Sequence, residues 1–310
     1  MAEKARLTEK ALNELRHLSG GPVLEDEPMS AHTTFRLGGP ADYMCSPKGP
    51  DELGRVLAWC ESEGLERLVI GAGSNLLVAD KGIRGLVIRT GAMTAWSVSA
   101  DTLVAEAGIL MPAISFALAD MGLSGFTEAC GIPGSLGGGL CMNAGAYGWN
   151  IADVTVKVEA MDLKGRRMEL SREAMGFGPK TSALMREGLI ATRLYARLGR
   201  ADRAAIKARI SALLKDRASK QPLELPNAGC VFRNPAGTGA GRLIDSCGLK
   251  GLCVGGAWVS EKHANFIVNR GGASAADVRS LLMKVQGEVF DKYGEVLEPE
   301  VRLVGDWDAE

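Results

Sequence analysis

The chain has 310 residues, 46% hydrophobic and 24% charged, a length and apolar content suited to two or three domains with real cores. Lysine and arginine number 36 against 37 aspartate and glutamate, for a net charge of −1, and the interleaved signs leave no basic stripe to track a nucleic acid. No run of about 20 apolar residues is present to span a membrane, and the N-terminus, charged from its third residue, lacks the apolar core of a signal peptide.

Residues 3–18 place Leu7, Leu12 and Leu15 at helical spacing and are expected to form an amphipathic helix. Thr33-Thr-Phe-Arg-Leu-Gly-Gly39 leads into a strand near Tyr43. Asp51 is expected to cap a helix reaching about Glu63, in which Leu53, Val56, Leu57 and Cys60 recur at three and four residues. Strands follow at 67–70, 84–89, 95–99 and 102–106, then a helix near 111–121. The alternation over Val154-Thr-Val-Lys-Val-Glu-Ala160 predicts a half-buried strand, with neighbours at 166–170 and 189–198. This mixture lacks a regular βαβ rhythm, so the first 200 residues read as an α+β region rather than a doubly wound sheet.

The character changes after Gly199. Residues 201–219 form a helix with Ile206, Ile210, Leu213 and Leu214 on one face, ended by Pro222 and Pro226. A second α+β unit runs to about residue 304. Its long helix starts at Ser274, with Asp277 three residues on in the manner of a capping box, and buries Val278, Leu281, Leu282, Val285 and Val289. The expected domains are therefore 1–200, with a core over about 33–199, and 201–310.

Two glycine-rich stretches carry the first functional signal. Gly131-Ile-Pro-Gly-Ser-Leu-Gly-Gly-Gly-Leu-Cys-Met-Asn-Ala-Gly145 is too rich in glycine and proline for an ordinary helix or strand over its first half. Such a loop lets backbone N–H groups approach a phosphate; the competing reading is a turn-rich surface loop. The second stretch, Ile70-Gly-Ala-Gly-Ser-Asn-Leu-Leu-Val78, follows a short apolar strand. It is not a nicotinamide fingerprint, because its last position is Leu76 and no helix opens there. Two such loops, neither of Rossmann type, point to a large diphosphate cofactor gripped from two sides.

The seven cysteines include no CxxC pair, and the three histidines show no metal-binding spacing. A disulfide framework, a zinc site and a metal-centred mechanism are all poorly supported, and a reducing cytoplasm is the expected compartment. Three later segments carry candidate chemistry. In Pro226-Asn-Ala-Gly-Cys-Val-Phe-Arg-Asn-Pro235, Cys230 stands at the head of an expected strand, as either a small core residue or a proton donor or nucleophile. Glu300, in Leu297-Glu-Pro-Glu-Val-Arg302, is either a surface ion-pair partner or an acid/base group. The paired glycines of Lys250-Gly-Leu-Cys-Val-Gly-Gly-Ala-Trp-Val-Ser260, followed by His263-Ala-Asn265, fit close backbone packing or ligand approach.

Taken in order, Thr33-Thr-Phe-Arg-Leu-Gly-Gly39, Gly71-Ala-Gly-Ser-Asn-Leu76, Gly131-Ile-Pro-Gly-Ser135, Asn143-Ala-Gly-Ala-Tyr-Gly148, Asn227-Ala-Gly-Cys230, Gly241-Arg-Leu-Ile-Asp245 and Leu297-Glu-Pro-Glu-Val301 span nearly the whole chain. This set resembles the UDP-N-acetylenolpyruvoylglucosamine reductase family of flavoenzymes. The length is similar to the family's shorter, type II-like form. The resemblance implies an FAD-binding domain of the vanillyl-alcohol-oxidase-like (PCMH) class followed by a smaller α+β substrate domain. It also implies FAD as tightly bound cofactor, NADPH as co-substrate, a UDP-sugar enolpyruvyl ether as substrate and UDP-N-acetylmuramate as product, in the cytoplasm.

By the same resemblance, Arg36, Gly71, Ala72, Gly73, Ser74, Asn75, Leu76, Gly131, Ile132, Pro133, Gly134, Ser135, Gly138, Asn143 and Gly145 would hold the FAD. Cys230 stands where the family's proton-donating serine is usual, and Glu300 matches its catalytic glutamate. Lys220 and Asn234 match positions that bind the substrate's nucleotide. The chain departs from the family at Pro179-Lys180, where Tyr-Arg is usual. Lys180 keeps the charge that meets the enolpyruvyl carboxylate but loses the planar fork, and Arg186 is the other base nearby in sequence. A related flavoprotein oxidase or dehydrogenase with another substrate, or a flavin-binding protein without turnover, are the alternatives this departure leaves.

Overall fold

The computed structural model describes residues 7–307. The contacts divide them into two compact units, one of residues 7–25, 43–72 and 85–215, the other of 26–42, 73–84 and 216–307.

The first unit is built on a five-stranded antiparallel sheet in the order Arg167–Ser171, Thr155–Met161, Ile190–Arg197, Thr102–Glu106, Trp96–Ser99. The alternation that predicted a strand near 154–160 sets the inner face at Val158 and Ala160; before them a bulge between Thr155 and Lys157 buries Thr155 and leaves Val156 exposed. Leu103, Ala105, Val158, Ala160, Leu194 and Ala196 join one core with Ile114 and Leu118 of helix Met111–Asp120. Fully burying side chains of leucine or valine size contributes about 1.5–3 kcal/mol each. A parallel pair, Arg67–Ile70 with Ile83–Arg89, runs from Arg67↔Leu86 to Ile70↔Arg89.

Helix Pro50–Glu63 contributes Leu53, Val56, Leu57, Trp59 and Cys60 to a second core with Leu12, Leu15, Leu86 and Ile88. Its N-cap is Gly49, not Asp51 as expected: Pro50 takes the first helical turn, where its missing N–H costs nothing, and Asp51 lies within that turn. The N-terminal helix is Glu9–Leu18, capped by the Thr8 hydroxyl, which accepts from Ala11 N at 3.2 Å. Residues 3–6 of the expected helix lie outside the described residues. Helix Arg203–Lys220 buries Ile206, Ile210 and Leu213 against Ala119 and Cys130, with Leu214 packed beside them.

The second unit holds a four-stranded antiparallel sheet, order Asn227–Cys230, Phe266–Asn269, Ala257–Val259, Cys253–Val254. Helix Ala275–Tyr293 buries the five expected residues Val278, Leu281, Leu282, Val285 and Val289. Its capping box forms: Ser274 N donates to the Asp277 carboxylate at 2.9 Å and Asp277 N to the Ser274 hydroxyl at 3.0 Å. Asp80 accepts from two further first-turn amides, Ala275 N at 2.8 Å and Ala276 N at 2.9 Å. Gly256 reflects close packing, since a Cβ there would overlap Ala273 N and Gly271 O. Strand Leu76–Val78 pairs in parallel with Arg302–Val304, so two early stretches of chain complete a unit built mainly from late ones.

Burial separates the thiols. Cys45 is pushed up to about 12 and Cys60 to about 11, in both cases chiefly by desolvation, whereas Cys253 is exposed. At pH 8 in native buffer, iodoacetamide is expected to label Cys253 and to leave Cys45 and Cys60 untouched until the chain is unfolded. Peptide mass spectrometry over a time course checks this, and labelling of Cys45 at the rate of Cys253 contradicts it.

Candidate functional site

In the first unit the glycine-rich stretch is stitched to the segment that precedes helix Met111–Asp120. Leu136 N donates to Ile109 O and Gly137 N to Ala107 O, each at 2.8 Å, and Met111 N donates to Gly134 O at 2.9 Å. Gly134 has φ 124°, a conformation that strains any residue with a side chain. Residues 132–135 form no helix, as expected for the first half of this stretch; a short helix, Leu136–Cys141, then opens at Ser135. The buried Ser135 hydroxyl caps it by accepting from Gly138 N at 3.4 Å, and that tertiary framing overrides the low helix propensity of three consecutive glycines.

Gly71 lies against Ser135: a Cβ at Gly71 would overlap the Ser135 hydroxyl. The two glycine-rich stretches therefore meet where the Gly71 backbone faces the Ser135 side chain. Gly138 is exposed, and a Cβ there would find only Ser135 Oγ, at 3.6 Å. Beside this contact lies a mainly apolar cavity of about 400 Å³, bordered by Ala72, Arg89, Trp96, Leu110, Ala113 and Ile114. Sequence reasoning missed it, because its walls come from four separate stretches with no shared pattern.

Asn143, at φ 45°, donates from Nδ2 to Gly178 O at 3.1 Å and accepts at Oδ1 from Ala152 N at 3.3 Å. It thus holds the tight turn closed by the Gly178–Thr181 bridge, on which half-buried Lys180 sits at φ 55°. Gly145 pairs with Asn150, and its missing side chain leaves room for the Trp149 carbonyl. Arg186 turns away to donate to Gly176 O at 3.0 Å.

In the second unit Cys230 ends strand Asn227–Cys230; it does not head it, as the sequence suggested. Gly229 before it has φ 77°, and its N–H is held by Asn227 Oδ1 at 2.9 Å. The backbone after Cys230 is paired on both edges. Glu300 N donates to Val231 O at 2.8 Å, Phe232 bridges Pro299, and Arg233 N donates to Glu298 O at 2.9 Å. On the opposite edge Asn265 O accepts from Val231 N at 2.9 Å. The Asn265 side chain accepts from Phe232 N at 3.0 Å and donates to Phe232 O at 2.8 Å.

Glu300, half-buried, is thus bonded through its backbone to Val231, the residue that follows the half-buried Cys230. The loop at 73–76 joins them. Asn75 Nδ2 donates to Glu300 O, and Arg302 N donates to Asn75 O, each at 3.0 Å. Gly73, at φ 65°, leaves space for the His32 carbonyl, and Thr34 N donates to Gly73 O at 3.3 Å. That places the exposed Arg36, at φ 55°, on the neighbouring turn. Lys220, exposed at a helix end, pairs with Asp216 at 2.6 Å. Asn234 accepts from Ala240 N at 3.0 Å.

The comparisons with known proteins bear on this arrangement. Residues 41–171 match a model described as an FAD binding domain, and residues 221–304 match the C-terminal domain of UDP-N-acetylenolpyruvoylglucosamine reductase. The reductase of Carboxydothermus hydrogenoformans is 42% identical over 305 residues, covering 98% of this chain and all of that protein. That of Heliobacterium modesticaldum is 44% identical over 288 residues, 92% of each chain. The crystal structure of the Thermus caldophilus reductase superposes with a TM-score of 0.78 at 35% identity, covering 91% of this chain and 97% of that one.

The chain belongs to the UDP-N-acetylenolpyruvoylglucosamine reductase family. Its fold is accordingly a PCMH-type FAD-binding domain followed by the reductase C-terminal domain. The residues present fit FAD. The 131–138 stretch supplies side-chain-free backbone at Gly134, with φ 124°, and at the exposed Gly138, and the cavity beside Ala72 has the size and apolar lining of a small-molecule site.

Gly71→Val places a branched side chain where the Ser135 hydroxyl stands. Overpacking of this kind costs about 1–3 kcal/mol, or roughly 10- to 100-fold in FAD affinity if the loops part to relieve it. Flavin absorbance per protein after gel filtration reads the loss. Full retention of flavin would show that this contact is not needed to hold the cofactor.

Proposed function

We propose that Cys230 delivers the proton and Glu300 stabilises the developing charge when this chain reduces UDP-N-acetylglucosamine enolpyruvate to UDP-N-acetylmuramate. The reductase activity itself, in peptidoglycan precursor synthesis with FAD and NADPH and a UDP-sugar substrate, is that of the family. The observation that carries the residue assignment is the pairing of 231–233 with 298–300, which sets the thiol and the carboxyl on adjoining backbone.

Bound FAD supplies the hydride relay from NADPH to the methylene carbon of the enol ether. The chain's own task is the neighbouring carbon, which takes on carbanion character delocalised into the substrate carboxylate. The S–H bond of Cys230 breaks as a C–H bond forms there, and the thiolate left behind regains a proton from solvent before the next turnover. A thiol, with a free pKa of about 8.5, is a stronger acid than the serine hydroxyl usual in the family, which suits it to the step. Glu300 is assigned to the enolate oxygen, a contact that strengthens as charge develops there.

Lys180 is assigned to the substrate carboxylate. Its turn, held by Asn143, presents one ammonium in place of a two-pronged guanidinium. Lys220 and Asn234 are assigned to the substrate's nucleotide. The FAD contacts are assigned to Arg36, 71–76, 131–135, Gly138, Asn143 and Gly145. Residues 1–200 are read as the FAD-binding region and 201–310 as the substrate domain. The matches over 41–171 and 221–304 support that division. Among the described residues no helix is long and apolar enough to cross a membrane. A cytoplasmic location is proposed from the cysteine usage, an odd total with no CxxC pair, and the lack of a nucleic-acid partner from the even, interleaved charge.

NADPH oxidation by flavin-loaded protein is expected to require the enolpyruvyl UDP-sugar. Turnover of other enol ethers or alcohols, with none of the UDP-sugar, would overturn the substrate assignment.

A further inference from the structure

We infer that Asn265 is a positioning residue for the proton-transfer half of the reaction. Its buried amide fixes, through Phe232, the short piece of backbone that carries Cys230 at one end and anchors Glu300 along one edge. This inference rests on the roles proposed for those two residues.

Strand Asn227–Cys230 pairs with Phe266–Asn269 only as far as Cys230↔Phe266. Beyond that point the partner strand turns away through His263 and Ala264, and the main chain can no longer supply both a donor and an acceptor to the next residues. Asn265 fills the gap. Its own carbonyl takes Val231 N at 2.9 Å, and its side chain then serves Phe232 as a strand would, accepting from N at 3.0 Å and donating to O at 2.8 Å. A side-chain amide carries the same donor and acceptor pair as a peptide group, on two separate atoms, which an ionised aspartate or an aliphatic residue does not.

Asn265 is 1% exposed and Phe232 1%, so water does not substitute for these bonds. The other edge of the same backbone takes Glu300 N and bridges Pro299. One amide therefore governs a strip with the acid on one flank and the thiol at its start. Displacing a reacting group by about 1 Å can cost 10²-fold in rate, and the strip offers no other side-chain hydrogen bond to Phe232 among the described residues.

The test uses flavin-loaded Asn265→Ala and Asn265→Asp beside Cys230→Ala, in rapid mixing. Reduction of the flavin by NADPH is expected within about twofold of wild type in the Asn265 variants. Reoxidation by the UDP-sugar substrate is expected to slow about 10²-fold, with half-saturation by that substrate little changed. A parallel fall in both half-reactions, or no fall in the second, overturns the inference. If Cys230→Ala alone slows reoxidation, the inference falls and the role of the thiol stands; if Cys230→Ala does not slow it, the role of the thiol falls first. Should neither Asn265 variant fold, hydrogen exchange on the wild-type holoenzyme decides: the Phe232 amide is expected among the slowest, and exchange at the rate of exposed loops overturns the clamp.

Discussion

Cys230→Ala is expected to leave flavin reduction by NADPH near the wild-type rate and to slow reoxidation by the UDP-sugar by about 10²–10⁴-fold, the usual range for losing a positioned general acid. The split follows from where the thiol stands. Hydride transfer from NADPH needs no proton from this residue, whereas the substrate carbanion does. The substitution removes one sulfur from a half-buried strand end and disturbs none of the backbone pairing of 231–233. Cys230→Ser should retain substantial activity, because a hydroxyl can still deliver a proton. Stopped-flow absorbance at the flavin maximum resolves both halves. Equal reoxidation rates in wild type and Cys230→Ala would remove the thiol from the mechanism.

Glu300→Ala should lower kcat by about 10²–10³-fold, equivalent to about 2.7–4 kcal/mol of transition-state stabilisation. The replacement removes the carboxyl assigned to the enolate and leaves the backbone pairing in place. Two bonds that seat the residue are made by its backbone: Glu300 N to Val231 O, and Glu300 O to the Asn75 amide. The variant is therefore expected to bind FAD, melt at the wild-type temperature and accept hydride from NADPH normally. Steady-state kinetics with a thermal melt checks this. A variant with wild-type kcat would assign Glu300 to structure alone.

Features written within a dozen residues were legible in the sequence. The Ser274–Asp277 capping box and the buried face of the helix it opens could be read directly, because both follow a single helical period. So could the alternating strand second from the edge of the five-stranded sheet, from Val158 on. Local rules misled where two of them competed. Gly49-Pro50-Asp51 offered two possible starts for one helix, and the proline at the first turn decided it. At Leu136–Cys141, glycine content argued against a helix that the capping serine and the pairing to Ala107 and Ile109 impose.

The site was less accessible. No local pattern reveals that Asn75 meets Glu300, 225 positions away, or that Asp80 covers the first amides of a helix at Ala275. Cys230 and Glu300 were candidates on local sequence, each beside an ordinary structural reading, and only the resemblance gave them roles. Their joint seat on the Val231–Arg233 backbone is a tertiary fact. Asn265 had one available signal, its place beside a paired-glycine segment, and that signal did not distinguish packing from ligand approach.

The parallel pairing of Leu76–Val78 with Arg302–Val304 has a consequence for how the protein is made. A ribosome delivers residue 76 long before residue 302, so the early strand must wait, unpartnered, through most of synthesis. Closing so long a loop is entropically costly and comes late. The half of the molecule bearing the thiol and the acid is therefore the last to mature on a nascent chain, and an excised 201–310 fragment would lack strands it needs to be whole.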